Sequence, residues 1–256
     1  LLPDNAHMSG EIVFGDRNLL DLDDRALSAI RGREIGIVPQ NPSLALNPTQ
    51  RIGRQIGEPL RLHTDLEPKT IRRRVHDQLM RLGFTGVERH LASNPFELSG
   101  GMNQRAVTAA SLVAGPRLLI ADEPTTGLDA AFSDLVADEL IAVTTAASAS
   151  LLLITHDLDL AERISDRVAV MYGGWIVEEA TSHDLFGTPR HPYTQALMSS
   201  RPAAGFHPIP GPPIDLTRKP PGCPFHPRCE RASEACARVE PETVIRDGRA
   251  VRCLRY

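Results

Sequence analysis

The sequence predicts an α/β domain built on a mainly parallel sheet, followed by an irregular appendage. Three observations predict it. Short apolar runs suited to buried strands alternate with amphipathic helical segments. Two of those runs end abruptly in polar groups, Asp122-Glu123 and His156. Composition then changes near residue 200, where nine of the 21 prolines fall between Pro202 and Pro227 and all four cysteines lie beyond residue 222. At 256 residues with 41% hydrophobic and 23% charged side chains, the chain has the make-up of one or two globular domains.

In chain order, residues 9–14 and 34–38 read as short strands, and the acids Asp21, Asp23 and Asp24 lead into a short helix. Asn41 to Pro48 reads as a loop punctuated by Pro42 and Pro48. Helical spacing recurs over 50–62 and 69–82, with Ile71, Val75, Leu79 and Leu82 on one face and Arg72, Arg73 and Arg74 largely off it, as on a solvated surface. Ser99 is a suitable N-cap for a helix running to about Val113. Arg117 to Ala121 is expected to be a buried strand, Ala131 to Ala147 a helix, and Leu151 to Thr155 a second buried strand. A helix over 158–165 and a hairpin over 167–177, broken at Gly173-Gly174, complete the main body. The expected domain limits are 1–195 for the α/β part and 196–256 for the Pro- and Cys-rich extension.

Bulk properties exclude several classes. The net charge is −4, so no global basic footprint points to nucleic acid. A membrane-spanning helix needs roughly 20 apolar residues, far more than runs such as Leu118 to Ala121 or Leu151 to Ile154 provide. The opening Leu1-Leu2-Pro3-Asp4-Asn5 has none of the features of a secretory leader.

Four short segments carry chemistry. Leu118 to Pro124 delivers two adjacent carboxylates, Asp122 and Glu123, to the C-terminal edge of a strand, where open α/β sheets hold ligands. Asp122 suits Mg²⁺, and Glu123 suits polarising a water for phosphoryl transfer. Ser99, Gly100 and Gly101 open a helix whose N-terminal N–H groups could meet phosphate oxygens. His156 follows a strand and could hydrogen-bond a phosphate, and Gln40 opens a loop just after Val38-Pro39. Read singly, each fits a bland alternative: solvated acids, a simple helix cap, a structural histidine, a surface glutamine.

Their order is more telling. Gln40, then Leu98-Ser99-Gly100-Gly101-Met102-Asn103-Gln104-Arg105, then Asp122-Glu123-Pro124-Thr125-Thr126-Gly127-Leu128-Asp129, then His156 resembles the ATP-binding subunit of ABC transporters. The matching segments are the Q-loop, the signature, Walker B with the D-loop, and the H-loop. The resemblance implies a P-loop NTPase-like fold with a helical signature subdomain, and ATP with Mg²⁺ as cofactors. It implies Asp122 and Gln40 at the metal, and Glu123 as catalytic carboxylate with His156 at the γ-phosphate. Ser99, Gly100, Gly101, Gln104 and Asp129 complete the nucleotide-contacting set across a head-to-tail dimer. It also implies a second ATPase subunit, permease subunits, an extracytoplasmic binding protein reached through the complex, and a peripheral position on the cytoplasmic face of the membrane.

Met102 and the tail narrow the resemblance to dipeptide and oligopeptide importers, with nickel importers as the alternative. The tail segments are His191 to Leu197, Ile209 to Pro213, and Gly222-Cys223-Pro224-Phe225-His226-Pro227-Arg228-Cys229. Asn103 departs from the arginine expected after Met102. Cys223, Cys229, Cys236 and Cys253 are separated by five, six and sixteen residues, unlike the closer pairs common at zinc sites. The resemblance favours a [4Fe–4S] cluster, with zinc and free thiols as the other readings.

One expected element is missing. A P-loop needs Gly-x-x-x-x-Gly-Lys-Ser/Thr, and the only lysines are Lys69 and Lys219. Lys69 precedes Thr70, but His63 and Pro68 occupy the glycine positions, and Lys219 precedes Pro220. The sequence is therefore read as a family member without its first strands and P-loop. On that reading a non-catalytic subunit, able only to complete a partner's ATP site, is the alternative function.

Overall fold

The computed structural model describes residues 6–126, 130–146 and 148–256. The chain forms two compact units, one reaching to Thr155 and the other running from His156 to Tyr256.

The first unit begins with a hairpin of β1 (Val13–Phe14) and β2 (Arg17–Asn18), then α1 (Asp24–Ile30), which Asp23 caps through its carboxylate. β3 (Ile35–Val38) follows, then the helices α2 (Pro42–Ala45), α3 (Ile52–Ile56), α4 (Glu58–His63), α5 (Pro68–Arg81), α6 (Val87–Ala92) and α7 (Gly100–Leu112). β4 (Leu118–Asp122), α8 (Ala130–Ala146) and β5 (Ser150–Ile154) complete it. Two expectations are refined here. The first strand is shorter than residues 9–14, and the expected loop 41–48 contains the four-residue α2 with Pro42 at its start, where a missing N–H costs nothing.

β3, β4 and β5 form a parallel sheet in that order, with Val38 opposite Ala121 and Ala121 opposite Leu153. The inner face of this sheet packs Val38, Leu119, Ala121, Leu151 and Leu153 with Val136 and Leu140 of α8 and Leu112 of α7. α7 lies close to β3: a Cβ on Gly36 would collide with the Ser111 carbonyl, and the Ser111 hydroxyl donates to the Ile37 carbonyl. The helical layer has its own core, in which Ile71, Val75, Leu79 and Leu82 are all buried, so the spacing read from sequence marks the true inner face of α5.

β5 corrects an expectation. It is not buried throughout but alternates, with Leu152 and Ile154 about half exposed at 50% and 47%. Ile37, in register with Ile120 and Leu152, is 54% exposed on the same face. An apolar strand buries both faces only when each is covered, and the described residues cover one.

The second unit contains α9 (Leu158–Ile164), β6 (Arg167–Tyr172), β7 (Trp175–Thr181), α10 (Ser182–Gly187), α11 (Pro192–Ser199), β8 (Val244–Arg246) and β9 (Arg249–Val251). The antiparallel order is β6-β7-β9-β8, and the hairpin turns at Gly173-Gly174 as expected. The tail is less irregular than its composition implies. β9 pairs with β7 through Glu178–Val251 and Glu179–Ala250, so the last residues extend the sheet. Tyr172, Val177, Leu185 and Phe225 form the core, with Ile209, Ile214, Cys223 and Cys229 packed against it.

Candidate functional site

The parallel register brings the polar ends of the strands to one edge. Gln40 and Glu123 each lie two residues beyond the paired Val38 and Ala121, and Asp122 is opposite Ile154. Gln40 is exposed, while Asp122 and Glu123 are half-buried. This is the C-terminal edge of the sheet, where ligands bind in open α/β folds.

Glu123 has an unusual backbone. Its φ is 50°, in the left-handed region that a non-glycine residue enters at a cost of about 1–2 kcal/mol. A residue before proline is normally held to extended conformations, and Glu123 precedes Pro124. The conformation is fixed from several sides. Its N–H donates to the Ile154 carbonyl at 2.8 Å, tying the turn to β5. The Thr126 N–H donates to the Glu123 carbonyl at 3.2 Å, and the Thr126 hydroxyl donates to the Glu123 carboxylate at 3.1 Å. Thr126 is a neighbour to which sequence reasoning gave no role.

Ser99 caps α7 as expected, its hydroxyl accepting from the Met102 N–H at 3.3 Å. Ser99 and Gly100 are exposed, and a Cβ on Gly100 would meet no protein atom within 4 Å. Packing therefore does not require glycine there, and the space in front of the helix N-terminus is open. Asn103 is buried, with its amide donating to the Pro95 carbonyl at 3.0 Å. Gln104 corrects its expected placement among nucleotide-contacting groups: it is 2% exposed and turned inward, its amide donating to the Pro124 carbonyl at 2.9 Å. A side chain closed off in this way offers no surface to a ligand. Asp129 lies outside the described residues. His156 opens the second unit, two residues beyond β5, and is exposed.

In the second unit none of the four cysteines is in a disulfide, and all four line one cavity with His191, Phe225 and His226. Burial pushes the Cys223 and Cys229 thiols up, and the neighbouring thiols add to it. At Cys236 burial acts the same way but is outweighed by the Ser233 hydroxyl and amide, which hold the thiol below its usual value. Among the described residues, no three His, Cys, Asp or Glu side chains stand close enough to grip a single ion. The wall is set by Gly222, whose φ is 68° and whose position passes against the backbone of Cys236 to Arg238, and by the Cys223 N–H donating to the Cys236 carbonyl at 2.8 Å. His191 is buried, which pushes its imidazole down to about 4 against a raising hydrogen bond with the Arg252 backbone. The neutral ring lets Nδ1 accept from the Tyr193 N–H at 3.0 Å.

Comparison with known proteins decides the family. Residues 2–126 match the ABC transporter family and residues 177–236 the oligopeptide/dipeptide transporter C-terminal region. The chain is 40% identical over 250 residues to the dipeptide transport ATP-binding protein DppD of Bacillus subtilis, covering 95% of the chain and 75% of that relative. The chain belongs to the ABC transporter ATP-binding proteins. The oligopeptide transport ATP-binding protein AppD of the same organism is 39% identical, covering 97% of the chain and 78% of the relative. Among solved structures, a post-hydrolysis dimer of the ATP-binding cassette MJ0796 bound to ADP and Pi superposes with a TM-score of 0.63. That match has 26% identity and covers 68% of this chain and 74% of the cassette. The fold is that of an ABC ATPase, and among the described residues no helix is long and apolar enough to cross a membrane.

Proposed function

We propose that this protein is the ATP-hydrolysing subunit of an importer for dipeptides or oligopeptides, with residues 1–195 as the ATP-binding domain and 196–256 as its extension. The observation that carries the reading is the sheet edge where β4 ends in Asp122 and Glu123, with Glu123 pinned in a strained conformation. Strain of this kind persists only where the surrounding structure holds it, and it collects at functional sites. Asp122 and Gln40 would hold Mg²⁺, which when bound neutralises charge on the transferred phosphoryl group. Glu123 takes the role of general base, orienting the attacking water, and its side chain is already fixed by the Thr126 hydroxyl. Ser99, Gly100 and Gly101 present the open N-terminus of α7, with its partial positive charge, to the phosphates of a nucleotide held by a second ATPase subunit. By family resemblance His156 contacts the γ-phosphate and Asp129 lies at the dimer contact. The protein works at the cytoplasmic face of the membrane, docked on permease subunits and served by an extracytoplasmic binding protein.

The test is Mg-dependent ATP hydrolysis in the assembled importer. Glu123→Gln is expected to keep nucleotide binding and stop turnover. Turnover that survives the change would remove Glu123 from the role.

The four-thiol cavity is proposed to hold a [4Fe–4S] cluster that staples the extension. What supports this is that the four thiols, distant in sequence, line one cavity. Anaerobic purification followed by iron and acid-labile sulfide analysis tests this, and a colourless, iron-free protein would refute it.

A further inference from the structure

The Gln104 amide is buried, lies one turn into α7, and reaches the carbonyl of the residue that follows Glu123. We propose that Gln104 is a positioning residue, which ties the helix beginning at Ser99 to the turn that carries Glu123. This inference rests on Glu123 being the hydrolytic carboxylate.

The argument is one of constraint. The turn 123–126 begins with a strained residue and contains Pro124, which has no N–H with which to anchor itself. The Glu123 N–H holds it to β5, and Thr126 closes it from within. The Gln104 amide, itself buried, donates to the Pro124 carbonyl at 2.9 Å and so holds the turn to α7. α7 is itself firmly placed. Most of it is buried, the Ser111 hydroxyl bonds β3, and Arg105 donates to the Leu82 carbonyl at 2.9 Å while stacking over Phe84 at 4.9 Å. A displacement at Ser99, where the helix meets the ligand proposed above, is therefore transmitted along a stiff helix and through the Gln104 hydrogen bond to the Pro124 carbonyl. Glu123 is covalently next to it. The geometry makes Gln104 the link by which occupation of the site at the head of α7 adjusts the carboxylate at the strand edge.

Hydrogen exchange on the 256-residue chain tests the link without any nucleotide. Gln104→Met keeps the length and removes the donor. Exchange of the Glu123 and Thr126 amides is expected to rise about tenfold or more, as follows from loss of one buried hydrogen bond. The amides of α7 from Asn103 to Val113 should stay within about twofold. Unchanged exchange at Glu123, or an equal rise along all of α7, would overturn the proposal. If Gln104→Met lacks a cooperative melt, Gln104→Asn carries the same test, since its amide stops one methylene short. In the assembled importer Gln104→Met is expected to lower kcat about tenfold with KM for ATP within about twofold. A kcat equal to that of the unaltered importer would also refute the link. Retained turnover in Glu123→Gln would instead defeat the catalytic assignment, and the exchange result would stand apart from it.

Discussion

Gly222 offers the sharpest test of how the cysteine-bearing extension is held. Its φ is 68°, and a Cβ there would overlap the Cys236 carbonyl oxygen and lie 2.9 Å from both the Ala237 carbonyl carbon and the Arg238 nitrogen. All three neighbours are backbone, so no side-chain rotation can relieve the overlap. Gly222→Ala should cost about 1–2 kcal/mol for the left-handed backbone and about 1–3 kcal/mol for overpacking. Gly248 supplies the control. Its φ is 74°, but a Cβ there would meet nothing within 4 Å, so Gly248→Ala carries only the first cost. The assay is urea unfolding followed by Trp175, the sole tryptophan, which lies on β7 with the Arg252 guanidinium 3.7 Å from its ring. With a urea dependence of about 2 kcal/mol per M, the midpoint should fall by about 1–2.5 M for Gly222→Ala and by about 0.5–1 M for Gly248→Ala. Equal shifts for the two variants would refute the contact between residues 222 and 236–238, and with it the account of how Cys223 is set beside Cys236.

Three further outcomes follow from buried side chains, two of them acidic and one apolar. Glu178 is fully buried and accepts from the Arg190 and His191 N–H groups at 2.8 Å each. Glu178→Ala orphans both donors and should destabilise the second unit by about 2–5 kcal/mol, with Glu178→Gln, which keeps one acceptor, clearly milder in the same fluorescence assay. Burial raises the Glu139 carboxyl above its ordinary value, against the opposing Arg81 charge and the Gln78 hydrogen bond. As pH rises from the ordinary carboxylate range through the raised folded value, the folded state binds more protons than the unfolded one, and stability falls across that interval. Glu139→Gln should remove that slope and raise the melting temperature at pH 7. A variant that melts lower at pH 7 and keeps the slope would contradict this. Leu79, fully buried in the helical core, should cost about 2–5 kcal/mol when changed to Ala, read as a shifted thermal midpoint.

Much of the site was legible because its signals are local. Ser99 announces a helix by its capping chemistry, the four-residue spacing of Ile71, Val75 and Leu79 marks a buried face, and an apolar run ending in Asp122-Glu123 states where a strand stops. The order of these segments sufficed to place the chain among ABC ATPases. What escaped reading depends on contacts between distant parts of the chain. Whether an apolar strand is buried on both faces depends on its coverage, so the run 151–154 gave no warning that Leu152 and Ile154 are half exposed. Gln104 looked like part of a nucleotide-facing motif, and only packing turned it toward Pro124.

The sequence by itself determined the chemistry available: two carboxylates at a strand end, a capped helix opening on two glycines, and four cysteines in a proline-rich tail. The tertiary structure decided what that chemistry faces. Parallel register set Gln40, Asp122 and Glu123 along one edge, a left-handed Glu123 was locked between β5 and α7, and β9 came back to pair with β7. The cysteines, scattered over thirty-one positions from Cys223 to Cys253, gathered around one cavity. The physical reason is the same throughout. Caps, turns and helical faces are fixed by residues a few positions apart, whereas register, coverage and inward orientation are fixed by which distant surfaces bury one another.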